Sequence, residues 1–128
     1  MIDSAVTLRA LIAAQSSIAA LVSTHVYVDR LPAEPTFPAI TLQSAGASEE
    51  EDAPIQDAEF EVRVWGETHA AARAVLGAMK DALHGRNNLT VGSVAVYYVG
   101  MESGPVTMAD PDTEWLYLAT RWRMVCEA

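Results

Sequence analysis

Leu8, Leu11, Ile12, Ile18 and Val22 recur, with Gln15, at helical spacing, and predict a helix from about Asp3 to Ser23. Asp3 or Ser4 can cap its first turn, because a short oxygen side chain accepts from the orphan amides there. A β-branched and aromatic run, His25-Val26-Tyr27-Val28, predicts a first strand, and Pro32, Pro35 and Pro38 punctuate the connection after it. Ala39 to Gln43 alternates and predicts a second strand, edge-like at its start because Pro38 donates no ladder hydrogen bond. Residues 44–56 read as a long polar loop. Asp57 to Trp65 then alternates strictly: Ala58, Phe60, Val62 and Val64 face one way, Glu59, Glu61, Arg63 and Trp65 the other. Thr68 opens a second helix reaching about His84, with Ala72, Val75, Leu76, Met79 and Leu83 as its apolar stripe and Gly85 at its close. Arg86-Asn87-Asn88 reads as a turn, and Val91 to Met101 as a fourth strand interrupted by Gly92. Gly104-Pro105 and Asp110-Pro111-Asp112 bracket a loop before a last strand from Glu114 to Cys126. In that strand Leu116, Leu118, Thr120, Trp122 and Met124 share one face, and Trp115, Tyr117, Ala119, Arg121 and Arg123 the other.

These elements predict an α+β fold: a mixed, mostly antiparallel sheet of about five strands, with two amphipathic helices packed on one face. The third strand, second helix and fourth strand form a candidate crossover, right-handed if those strands pair in parallel. No repeat or linker interrupts the chain, so residues 1–128 are expected to make one domain.

Composition narrows the function classes. Half the 128 residues are hydrophobic, enough for a core without disulfide or metal staples. The lone cysteine, Cys126, has no intrachain partner and reads as a small buried hydrophobe. The start lacks a basic cluster, and Gln15-Ser16-Ser17 breaks its apolar run, so neither a secretory signal nor a membrane contact is expected. The net charge of −9 opposes tight binding to a phosphate backbone. No phosphate loop, paired-histidine helix or cysteine cluster is present, and His25, His69 and His84 stand far apart, so neither enzyme activity nor a cofactor is expected. The acidic run Glu49-Glu50-Glu51-Asp52 lacks the spaced ligands and turn glycine of a calcium loop, and reads as a mobile, solvated segment.

The polar sheet face is more informative. Trp115, Tyr117, Arg121 and Arg123 on the last strand, with Glu59, Glu61 and Arg63 on the third, form a candidate interface, since aromatics and arginine are enriched at protein contacts. Alternatively the aromatics pack under a loop and the arginines pair with Glu59 and Glu61 across the sheet; both arrangements fit the pattern.

The succession Val26-Tyr27-Val28-Asp29-Arg30-Leu31-Pro32, Phe37-Pro38-Ala39-Ile40-Thr41-Leu42, Phe60-Glu61-Val62-Arg63-Val64-Trp65-Gly66, Ala82-Leu83-His84-Gly85 and Tyr117-Leu118-Ala119-Thr120-Arg121-Trp122-Arg123-Met124 resembles the tail terminator, or tail completion, proteins of long-tailed phages, prophages and gene transfer agents. Order, spacing and length carry the resemblance, which covers nearly the whole chain. It implies a non-enzymatic homo-oligomer, a hexameric ring that caps the tail tube protein, ends tube growth and meets the head–tail connector. The ring would assemble in the host cytoplasm and end in the virion tail, with Glu49 to Asp52 facing the lumen or a partner. Spheres of the size expected for this chain, about 36 Å across, would leave a hexamer hole wide enough for DNA to pass without specific binding. Another neck component, or a small binding domain or enzyme outside any phage, are the competing classes.

Overall fold

The alternation around Phe60 builds the middle of a sheet. In a computed structural model, which describes residues 2–49 and 54–128, strands β3 (Ile55–Trp65) and β6 (Leu116–Glu127) pair antiparallel along their length, from Ile55 opposite Glu127 to Trp65 opposite Tyr117. The other described strands are β1 (Val26–Val28), β2 (Ala39–Glu49), β4 (Arg86–Val91) and β5 (Val94–Ala109). They form a six-stranded sheet ordered β1-β2-β3-β6-β5-β4, in which only the β1–β2 pair is parallel.

Three described helices pack on it: α1 (Ser4–Ala13), α2 (Ser16–Val22) and α3 (His69–Leu83). Asp3 caps α1 by accepting from the amides of Ala5 and Val6, and Thr68 caps α3 by accepting from Ala71. One core joins Leu8, Leu11, Ile12, Val75, Leu76 and Met79 to Phe60, Val62 and Val64, all buried, so the helices share one sheet face as expected. Cys126 is fully buried in that core, where burial raises its thiol pKa.

The structure corrects several boundaries. The first helix is two, bent by 86° at Ala14–Gln15. Gln15 takes an extended backbone, its side chain donates to the carbonyl of Leu11, and the bend carries Ile18 and Val22 into the core. No single described helix is long and apolar enough to cross a membrane. The sheet has a sixth strand because Arg86-Asn87-Asn88, expected as a turn, opens β4; this is a polar edge strand that sinks only Leu89 and Val91 toward the core. Gly92, at φ +58°, lies in the short turn that joins it to β5. The 44–56 loop is much shorter than expected, since β2 continues past a bulge at Ser44–Gly46 to Glu49 and β3 begins at Ile55; Glu50, Glu51 and Asp52 lie outside the described residues. Likewise 104–109 is strand, carried past Gly104-Pro105 by bulges in β5. The crossover spans more than adjacent strands: β6 lies between β3 and β5, and the chain leaving α3 enters β4 at the far edge.

Gly66 makes the corner between β3 and α3. A Cβ there would sit 2.9 Å from both the Ala72 nitrogen and the Thr68 oxygen, backbone atoms of the α3 start. Gly66→Ala should therefore lower the melting temperature, while Gly77→Ala, where a Cβ meets nothing within 4 Å, should not. Phe60→Ala, at a fully buried site, should cost about 3–5 kcal/mol in denaturant unfolding.

Candidate interaction face

With the described helices on one side, the other sheet face carries the polar half of each alternation. Strand register lays it out in cross-strand rows. Ala39, Trp65, Tyr117 and Met108 form one row; Thr41, Arg63, Ala119 and Val106 the next; Gln43, Glu61, Arg121 and Ser103 the third. Glu59 and Arg123 face each other in the fourth, and Asp57 and Val125 in the fifth.

The charges pair by leaning one row along the sheet. Arg123 grips Asp57 through two hydrogen bonds of 2.9 and 2.7 Å, Arg121 reaches Glu59 at 3.3 Å, and Arg63 meets Glu61 on its own strand at 3.2 Å. The expected cross-sheet pairing of both arginines with Glu59 and Glu61 is thus displaced: Arg121 takes Glu59, and Asp57 replaces a glutamate as the partner of Arg123. Sequence reasoning missed Asp57 because it opened the predicted strand, although it extends the Glu59, Glu61 spacing of two. Arg123 also lies over the Tyr98 ring at 5.8 Å and Arg63 over Tyr117 at 4.7 Å. The ladder is neutral, so the whole net charge of −9 lies outside it.

The aromatics gather at one end, under the connection between β1 and β2. Trp65 and Tyr117 touch at 4.6 Å between centroids, Phe37 stacks on Trp65 at 6.3 Å, and Trp115 meets Phe37 edge-on at 5.4 Å. The Trp65 indole donates to the Thr41 hydroxyl at 2.9 Å. Tyr117 is buried and Trp115 half-buried, so these two candidate interface residues are largely engaged within the chain. Beside them opens a cavity of about 340 Å³, with Arg63 and Trp65 in its lining, Arg30, Leu31 and Pro32 on one wall and Trp115 on another. Asp29, Glu61 and Asp110 are its carboxylates, and the last two are engaged within the chain. Glu61 is ion-paired, and Asp110 accepts from the amides of Thr113 and Asp112, which hold its pKa below the ordinary range. His69 instead meets the Thr107 hydroxyl at 2.9 Å, and His84 accepts from the Met101 amide. Among the described residues no group of His, Cys, Asp or Glu could hold a metal ion.

A family model, Tail completion protein gp17, matches residues 6–123. The chain belongs to this tail completion family. Membership gives it a structural role in the tail or neck of a phage-type particle. A chain in the solved virion of a native gene transfer agent particle has the same fold, with a TM-score of 0.71, 21% identity and 100% of each chain covered. No curated protein sequence matches the chain. For a tail completion protein the face is ordinary as chemistry and informative as surface: its charges are paired and its aromatics packed.

Because Arg121 pairs inside its own sheet at an exposed site, Arg121→Glu should cost the isolated chain about 1 kcal/mol in denaturant unfolding, by setting a like charge beside Glu59 and Glu61. Asp57 gives a pH dependence. The hydrogen bonds from Arg123 hold its carboxyl below its ordinary 3.8, burial opposes this more weakly, and the arginine charge adds to the lowering. A carboxyl depressed in the fold stabilises above its unfolded pKa, and that stabilisation is lost as pH falls through the folded value. The melting temperature should therefore drop below pH 3.8, and Asp57→Asn should flatten part of the drop while lowering stability at neutral pH.

Proposed function

We propose that the chain forms a hexameric ring that caps the tail tube, stops its polymerisation and joins the tail to the head connector. The observation that carries this reading is the family match over residues 6–123. The geometry supports it. β1 covers β2 only at residues 40–42, and β4 covers β5 only up to Val99, so each edge of the sheet is left partly open, at opposite ends. A surface with two different open edges suits a head-to-tail contact, which closes into a ring when its rotation matches the symmetry. A tube with that symmetry would favour the ring by mass action even where the free chains associate weakly.

DNA leaving the head would pass through the lumen. The neutral ladder and the net negative charge give a duplex little to adhere to. The candidate face of Trp115, Tyr117, Arg121, Arg123, Glu59, Glu61 and Arg63 is then part of the ring surface, and Glu49 to Asp52 contact the lumen or a partner. Assembly takes place in the host cytoplasm, and the ring ends at the head-proximal end of the tail.

Adding the purified chain to polymerising tube protein tests this. Tubes should become shorter and more uniform as the chain is added, and capped tubes should no longer extend when fresh subunits are supplied. Unchanged tube lengths together with binding to the connector would assign the chain to another part of the neck.

A further inference from the structure

The far end of β5 is the least explained surface. Residues 102–109 are all exposed, and beyond Val99 no described strand pairs with the outer side of β5. This arm is shaped, not frayed. It stays paired to β6 through Ala109, and at Gly104, φ +100°, a Cβ would come within 2.7 Å of the Ala119 oxygen, so the arm lies close against β6. Yet it presents Val106 at 57% and Met108 at 45% exposure, both on the uncovered face. Among the described residues the other large exposed apolar side chains, Val6, Leu21 and Tyr97, are scattered elsewhere.

The opposite edge offers a counterpart at the same levels. Met108 shares its row with Ala39, Val106 with Thr41, and Ser103, next to Glu102, with Gln43. The 340 Å³ cavity reaches that edge, where Thr41, Gln43 and the Arg30–Pro32 segment after β1 line it, while Asp110, Thr113 and Trp115 line it from the β5–β6 connection. β1 runs parallel to β2 and ends with Val28 opposite Leu42; the chain then turns at Asp29, and Arg30 lines the cavity together with Gln43. Arg30 is exposed, follows Asp29 in the cavity lining and has no ion pair within 4 Å among the described residues; Glu102, the only charge on the arm, has none within 4 Å either, although its charge acts on Arg123 of its own chain.

We propose that the β5 arm of one copy docks on the β1–β2 edge of a second copy, with Val106 and Met108 against the mouth of the cavity and Glu102 against Arg30. The idea rests on the ring reading and specifies its contact. A rotation about an axis running along the strands keeps the levels matched, so an arm and a cavity at equal height on opposite edges meet head to tail without sliding. The two exposed apolar side chains then leave water against an aromatic-floored pocket, and the unpaired acid meets the unpaired base. The side chains converge only if the uncovered faces turn toward the ring axis, which sets the three helices on the outside and the neutral ladder on the inside.

Arg30→Glu and Glu102→Arg test the contact, each alone, combined in one chain, and as a mixture of the two single variants. Native mass spectrometry over rising concentration reads the assembly, and copies bound per tube end are counted on purified tail tubes. Each single variant should associate about tenfold or more weakly while melting as wild type does. The combined variant and the mixture should both recover, since every arm again meets the opposite charge. Val106→Asp with Met108→Asp should lose assembly in every combination. Single variants that assemble as wild type, or a mixture that fails to recover, overturn the docking and leave the ring reading standing. So does a ring that persists while tube binding is lost, because the arm then serves the tube protein. A wild-type chain that neither assembles nor binds tubes overturns the ring reading and the docking together.

Discussion

Everything in this fold hangs on the antiparallel pairing of β3 with β6. Side chains of both strands point alternately to the two faces over eleven paired positions, so one register puts Phe60, Val62, Val64, Leu118, Trp122 and Met124 on a single face. A slip of one residue would turn that set into solvent and bury the charges of the other face. The same register spaces Asp57, Glu59 and Arg63 so that diagonal and same-strand ion pairs form without burying an unpaired charge. Exposed pairs of this kind contribute little stability each. Their effect on specificity is one-sided: a two-residue slip in one direction would set Arg63 opposite Arg121.

The consequence is a one-sided sheet. α1, α2 and α3 cover the apolar face, and nothing in the described chain covers the other except the connection that lies over Trp65 and Tyr117. A short parallel strand at one edge and a short polar hairpin strand at the other leave part of each edge open. Pro105 and the bulges of β5 blunt its open edge, which limits indiscriminate strand pairing while leaving side chains available for a shaped contact. Such a molecule is ordinary as a core and unusual as a surface, which fits a protein of the tail completion family whose work is contact.

How much of this is legible in the sequence depends on how strongly each segment is patterned. β3, β6 and α3 can be read because burial of one face imposes a clean period, and the helix caps at Asp3 and Thr68 are where short oxygen side chains predict them. β4 is hidden because an edge strand that buries only two side chains keeps no alternation. The break at Gln15 is hidden because the apolar stripe continues across it. β2 and β5 run further than expected because Ser44-Ala45-Gly46 and Gly104-Pro105 resemble turns but act as bulges in paired strands. The candidate face is visible as a set of charges and aromatics, but its pairing is not. Choosing Asp57 over Glu59 for Arg123 depends on how side chains lean between rows, and the cavity depends on where the Arg30–Pro32 segment folds back.

The central claim, that this chain closes into a ring at the end of a tail tube, is tested most directly by imaging. Electron cryomicroscopy of the full chain mixed with purified tail tubes, reconstructed without imposed symmetry, should show a six-fold ring on one end of each tube and none along the wall. Copies scattered along the tubes, single copies at their ends, or bare ends at saturating protein would contradict the account.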